Sequence, residues 1–279
     1  MMNKNKVAVI MTVHNRKEKT IRCLKKLFEN DIIENDIICY LTDDGCTDGT
    51  AESVINQFPN VVIIEGDGTL FWNRGMYKAW NRALQDKPDY FLWLNDDTLL
   101  EKTAVSCLID IVSKYQDEAI IVGSTCDSYG ELSYGGRQFP RKHNIIVPDS
   151  YVSKPCSTFN GNIVLVPNKV VDKIGIIDPY FRHSFGDIEY GLRATKNRIR
   201  CIIAPGFLGK CNRNNPIPLF RRKQYSLLKR YKLLYSPLGF NPIEDFYLNK
   251  KYYPLWKCLL WYIKLHLNVL FSKDHTKYN

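Results

Sequence analysis

Tyr90-Phe91-Leu92-Trp93-Leu94-Asn95-Asp96-Asp97-Thr98 is the stretch on which the fold turns. Five consecutive apolar or aromatic residues ending in a polar cluster predict a strand buried on both faces, inside a parallel sheet. Two carboxylates then stand at its carboxyl end. In an open α/β sheet that edge is where ligands bind, and adjacent carboxylates there suit a divalent cation carrying substrate phosphates. A plainer reading stands beside it: Asp97 or Thr98 caps a helix beginning at Leu99-Leu100-Glu101.

Two earlier segments follow the same plan. Residues 37–41 are apolar and lead into Thr42-Asp43-Asp44-Gly45-Cys46-Thr47-Asp48-Gly49-Thr50, with a helical pattern over 51–58. Residues 7–11 are apolar and end at Thr12-Val13-His14-Asn15-Arg16, with a helical pattern over 17–28. Strands alternating with helices imply right-handed crossovers and a mostly parallel sheet, so the three polar ends meet at one edge. Asp43 and Asp48 sit in Asp-Gly turn chemistry, and a loop-ordering or capping role is expected for them.

A chain of 279 residues, 45% hydrophobic, can bury a substantial core. Its nine cysteines contain no Cys-x-x-Cys pair, which gives a zinc ribbon no support. Several lie in apolar stretches and read as small core residues. Met1-Met2-Asn3-Lys4-Asn5-Lys6 runs straight into the first strand without an apolar signal, so the expected location is a reducing cytoplasm.

The net charge of +10 is unevenly spread. Residues 208–279 hold 14 Lys and Arg against 3 Asp and Glu, which leaves 25 basic and 26 acidic residues before them. Clusters at Arg221-Arg222-Lys223 and Lys229-Arg230-Tyr231-Lys232 precede an aromatic, apolar run over 254–271. Lys257, Lys264 and His266 interrupt that run, and a spanning helix needs about twenty mainly apolar residues, so it is not read as transmembrane. Lys257 and Lys264 share one helical face, while Trp256, Leu260, Ile263, Leu267 and Leu270 share another. Such a helix suits peripheral contact with an anionic membrane surface at the inner face of the cell membrane. The same apolar face could instead pack on the catalytic domain or a second subunit, and the oligomeric state is open. No nucleic-acid module accompanies the basic residues, so nucleic acid is not the expected partner.

The chain resembles the family 2 glycosyltransferases, which have the GT-A fold. The resemblance is carried by Met11-Thr12-Val13-His14-Asn15-Arg16, the segment 43–50, Gly66-Asp67-Gly68 with Asn73-Arg74-Gly75, and Asn95-Asp96-Asp97. Gly161-Asn162-Ile163-Val164-Leu165-Val166-Pro167 and Phe185-Gly186-Asp187-Ile188-Glu189-Tyr190-Gly191-Leu192-Arg193 continue it. It implies an α/β, Rossmann-like sheet flanked by helices over residues 1–215, with a nucleotide-binding half at 1–97 and an acceptor-binding half at 98–215. Residues 216–279 would be a basic, aromatic helical extension.

The implied activity is inverting transfer of a sugar from a UDP- or dTDP-sugar to an acceptor hydroxyl, with Mg²⁺ or Mn²⁺. A divalent metal would orient the diphosphate and stabilise its leaving charge. The resemblance implies Asp97 as the direct metal ligand and Asp96 beside it, near the ribose or a metal-bound water. Asp44 is implied to read the base, walled by Thr12 and Asn15, with Asp67, Gly68 and Arg74 near the nucleotide. A general base needs a carboxylate within hydrogen-bond reach of the hydroxyl, and Asp187 is the first candidate, with Glu189 its rival. Both could instead be first-turn acids of a helix.

Two departures from the family pattern stand out. Gly186 replaces the Glu common before the base, and Cys211 stands near where relatives often supply a His. A soft thiol is a poor ligand for hard Mg²⁺, so Cys211 is left off the ligand set. His183 is placed to touch the acceptor or support the loop, and Phe159-Asn160-Gly161-Asn162 to line the acceptor cleft. Trp72, Met76 and Trp80, at helical spacing, are expected in the core. The acceptor implied by family and tail together is a saccharide, lipid-linked, in bacterial surface-polysaccharide assembly. The alternatives are a sugar-nucleotide nucleotidyltransferase, for which a glycine-rich basic triphosphate loop is missing, and a non-catalytic saccharide-binding scaffold of the same fold.

Overall fold

The computed structural model describes residues 4–29, 35–139, 145–213, 218–222 and 224–271. Residues 1–3, the expected boundary at 215–216, Lys223 and residues 272–279 of the tail lie outside them. The chain begins β1 (Asn5–Val13), α1 (Lys17–Phe28), β2 (Asn35–Asp43), α2 (Thr50–Gln57), β3 (Val61–Glu65), α3 (Phe71–Ala83) and β4 (Tyr90–Leu94), the alternation expected from its pattern. β1 is flanked by β2 and β4, both parallel to it: Val9 lies beside Cys39 on one side and Leu92 on the other. All five residues of β4 are buried, as a strand covered on both faces requires.

The second half supplies β5 (Leu99–Leu100), α4 (Ala104–Ser113), β6 (Ala119–Cys126), β7 (Leu132–Tyr134), β8 (Gly136–Arg137), β9 (Lys154–Cys156), β10 (Thr158–Phe159), β11 (Ile163–Pro167), α5 (Asn168–Ile174), α6 (Gly186–Lys196) and β12 (Arg200–Lys210). The main sheet has the order β3-β2-β1-β4-β11-β6-β12-β5, with β7 on β6 and β9 on β12; β8 and β10 pair separately. Along that path only β11 and β5 run against the rest. This is the mixed α/β, mostly parallel architecture flanked by helices that the GT-A resemblance implies. The capping alternative for Asp97 and Thr98 is not what forms. Leu99 and Leu100 pair instead with Lys210 and Gly209 of β12, and the next helix starts only at Ala104.

Alternation along β1 divides the core. Val7, Val9 and Met11 belong to the core cluster that includes Leu24 and Leu27 of α1 and Leu108 of α4. Ala8 and Ile10 face α3 and α6, where Trp80 stands 5.2 Å from Trp93, itself 5.2 Å from Tyr190. Met76 and Trp80 are core residues as expected. All nine cysteines are free.

Three helices complete the described chain: α7 (Leu227–Tyr235), α8 (Pro242–Lys250) and α9 (Leu255–Leu270). Asn241 caps α8 by accepting from the Ile243 and Glu244 amides, with Pro242 at the first helical position. Phe220, Leu234, Leu265 and Val269 form a small core joining α7 and α9. α8 is fastened to the α6 region by Leu248 in a cluster with Phe181 and Leu192, and by Glu244 accepting from Arg182 at 2.8 Å. α9 turns Cys258, Leu265 and Val269 inward, while Trp256, Leu260, Ile263, Leu267 and Leu270 are exposed. Packing of that apolar row on the catalytic domain is therefore not observed. Among the described residues no helix is long and apolar enough to cross a membrane.

Candidate active site

The carboxyl ends of β1, β2 and β4 bring Thr12, Asp44, Asp96 and Asp97 into one cleft of about 970 Å³, the size of a small-molecule site. Asn160 to Asn162, just before β11, and Asp187, in the first turn of α6, line the same cleft. The third side comes from the tail, with Asp245 of α8 and Trp261 and Lys264 of α9.

Arg16 organises the acid pair. Its Nη1 donates to Asp96 Oδ1 at 2.9 Å and to Asp97 Oδ2 at 3.0 Å. The two carboxylates thus converge on one cationic position. Burial raises the Asp96 pKa to about 6, with Arg16 opposing the shift and the Asp97 charge adding to it. Cys211 donates its thiol to Asp97 Oδ1 at 3.5 Å, and burial beside Asp97 pushes its pKa up to about 12. In this arrangement the thiol is a hydrogen-bond donor to the acid pair.

Among the described residues no group of three or more His, Cys, Asp or Glu could hold a metal by itself. One or two carboxylates are what a hard divalent cation takes from a protein when water and substrate phosphates complete its shell, and here Arg16 Nη1 stands where the pair converges.

Asp44 is buried, and its carboxylate accepts from the amides of Gly68 at 2.9 Å, Leu70 at 3.2 Å and Phe71 at 2.9 Å. Three of roughly four acceptor positions are thus spent on shaping the 66–71 loop, and one remains for a ligand. Gly68 lines the cleft at φ 83°, a left-handed backbone that glycine adopts without strain. The structure does not bring Asn15, Asp67 or Arg74 to the cleft wall. Asn15 accepts from the Thr47 amide at 2.7 Å, exposed Asp67 accepts from the Thr69 amide at 2.8 Å, and Arg74 Nε donates to the Pro179 carbonyl at 3.1 Å. Each is a loop tether. Asp43 and Asp48 also order turns, accepting from the Cys46 and Thr50 amides.

Asp187 and Glu189 share a helix turn but not an environment. Asp187 lines the cleft, accepting from Ile188 N at 2.8 Å and Gly161 N at 3.1 Å. Burial raises its pKa, against those amides and the Arg137 charge. Glu189 is off the cleft, its side chain 3% exposed, paired with Arg193 and Lys251 at 3.1 Å each. It cannot meet a substrate without breaking both pairs, so Asp187 is the member of the two that faces the cleft.

Gly186 has a steric reason. A Cβ there would lie 1.6 Å from Asn73 Oδ1, and Asn73 is committed to holding the Asp178 and Phe181 carbonyls at 2.8 Å each. His183 lines the cleft, with Nδ1 buried and unpartnered and its pKa lowered by burial.

Several cleft residues carry no role in the sequence reading. Trp72 packs against the core as expected, 6.2 Å from the Trp93 ring, and its edge also lines the cleft, Nε1 donating to Asn95 Oδ1 at 2.8 Å. Arg137, which donates to Asn160 Oδ1 at 2.9 Å, also lines it. So does Asp245, whose pKa burial raises to about 6. Arg16 alone carried a usable signal, a cation closing a strand-end motif. The rest come from segments with no local pattern of their own.

The model of the family described as Glycosyl transferase family 2 matches residues 8–175, more than half of the chain. No curated protein matches the sequence.

Proposed function

The chain belongs to glycosyl transferase family 2, and from that premise we propose that it is an inverting glycosyltransferase taking a UDP- or dTDP-sugar as donor and a saccharide hydroxyl as acceptor. The observation that carries the reading is the cleft itself. It holds Asp96 and Asp97 converging on Arg16, and Asp187 lines the same cleft.

In this reading the donor diphosphate lies against Arg16 and the acid pair, and the base enters beside Thr12 and Asp44, whose remaining acceptor capacity suits the imide N–H of uracil or thymine. A Mg²⁺ or Mn²⁺ ion held by Asp97 and Asp96 would offset the charge that develops on the departing diphosphate. Asp187 takes the proton of the acceptor hydroxyl. That oxygen forms the new bond to the anomeric carbon as the bond to the diphosphate breaks on the opposite face, so configuration inverts. The electron pair leaves with the nucleoside diphosphate, and the Arg16 guanidinium is placed to receive its charge. Asn160, Gly161 and the tail side chains are the acceptor's wall. The basic, aromatic tail supports a lipid-borne saccharide as acceptor, in bacterial surface-polysaccharide synthesis on the cytoplasmic face of the membrane.

Calorimetric titration of the purified protein with UDP, dTDP, GDP and ADP, with and without Mn²⁺, tests the donor site. Metal-dependent binding of UDP or dTDP, lost in Asp97→Ala, is expected. Absence of binding by all four nucleotides would sink the transferase reading.

A further inference from the structure

α9 has three faces, and only two have an occupant within the chain. Cys258, Leu265 and Val269 are buried, the last two in the small core with Phe220 and Leu234. Trp261, Lys264 and Asn268 sit on the next flank and line the cleft. The third flank carries Trp256, Leu260, Ile263, Leu267 and Leu270, spaced four and three residues apart on one stripe of the helix. These side chains are 59, 56, 54, 45 and 45% exposed, and Leu255, Leu259 and Phe271 extend the patch. Isolated exposed apolar residues are ordinary on a protein surface, but a contiguous row of this kind marks a binding face.

Charge selects the occupant. The basic excess of the chain lies in residues 208–279. Lys257 and Lys264 stand at the edge of the apolar row, with the Lys257 ammonium 5.3 Å from the Trp256 ring centroid. An aromatic body with a lysine beside it is the pairing favoured at a lipid headgroup boundary, where the ring is half immersed and the ammonium meets lipid phosphate. A second copy of this chain would bring a second cationic tail against the first. An anionic lipid surface instead supplies the opposite charge together with an apolar medium for the row.

We propose that α9 lies in the headgroup region of an anionic membrane, its Trp256–Leu270 row in the lipid and its Trp261 and Lys264 flank on the cleft. The helix then sets the cleft mouth beside the membrane surface, where an acceptor carried on a lipid reaches Asp187 without leaving the bilayer. The docking surface stands on its own observations; its use for acceptor delivery rests on the transferase reading.

The experiment is flotation of the full chain with vesicles of phosphatidylcholine mixed with phosphatidylglycerol, and with phosphatidylcholine alone, at low and high salt. The native protein is expected to float with the anionic vesicles and to be released by salt, while the Leu260→Glu/Ile263→Glu pair loses about tenfold or more of the binding. Leu260→Ser/Ile263→Ser should fall between, and Lys257→Gln should weaken the salt-sensitive part. UDP titration of each variant reports folding and donor binding separately, so failure of the membrane proposal is distinguishable from failure of the transferase reading. Unchanged flotation of the Glu variant, or no flotation of the native chain at low salt, overturns the proposal. So does a native dimer by light scattering that the Glu pair converts to monomer, because the row would then belong to a second copy.

Discussion

Asp187 sits under opposed influences, burial raising its pKa and two backbone amides with Arg137 holding the shift back. A base needs this compromise: basic enough to take a hydroxyl proton, yet ionised at neutral pH. Asp187→Asn keeps the shape and should lower turnover by about 10²–10⁴-fold with UDP binding unchanged. Because the folded pKa is raised, native activity should fall on acidification at a pH above the ordinary carboxylate range, a limb that initial rates of the Asn variant should lack. Glu189, one turn away, answers to different physics. Glu189→Gln leaves Arg193 without its carboxylate partner, while Lys251 keeps Asp178 at 2.9 Å. Denaturant unfolding is therefore expected to show a loss of roughly 2–3 kcal/mol, short of the cost of breaking a fully buried pair. Nucleotide affinity should be retained.

At the scale of elements, most of the cleft is built from ends rather than middles, and α9, which lends Trp261 and Lys264 from its central turns, is the exception. β1, β2 and β4 offer carboxyl ends, α6 its first turn, and α8 the first turn behind the Asn241 cap. Polar side chains can stand at such ends without interrupting a ladder or a helix. Asp245 shows the cost of using one. Burial lifts its folded pKa to about 6, above the roughly 3.9 of an unfolded chain. The group adds stability below the unfolded value, and that contribution is lost as pH rises through 6. Asp245→Asn should accordingly raise unfolding free energy by on the order of 1 kcal/mol at about pH 8, allowing for its partial exposure, and the gain should vanish toward about pH 4. Thermal melts of both proteins across that range check the sign.

Across the whole molecule, the family-matched segment supplies the strand ends of the cleft, and helices beyond it supply the third wall. Trp261→Ala should therefore raise the KM for a saccharide acceptor by about tenfold, the worth of one aromatic contact, and leave UDP binding untouched; equal losses in both would contradict this division. The sheet core was legible in the residues because its signals are local. Apolar runs 7–11, 37–41 and 90–94 are each bounded by polar clusters, and their alternation with helical periods dictates parallel strands with ends on one edge. The stripe of α9 was legible for the same reason, since it depends only on spacing along one helix. Tertiary structure alone decided which polar residues face the cleft. Arg16 meets Asp96 and Asp97 across some eighty residues of chain, Glu189 meets Lys251 across sixty-two, and Asn15 and Arg74 are drawn to Thr47 and Pro179. Periodicity records which face of an element is apolar, whereas a polar side chain takes the partner that folding brings within hydrogen-bond reach, and that partner lies outside any local pattern.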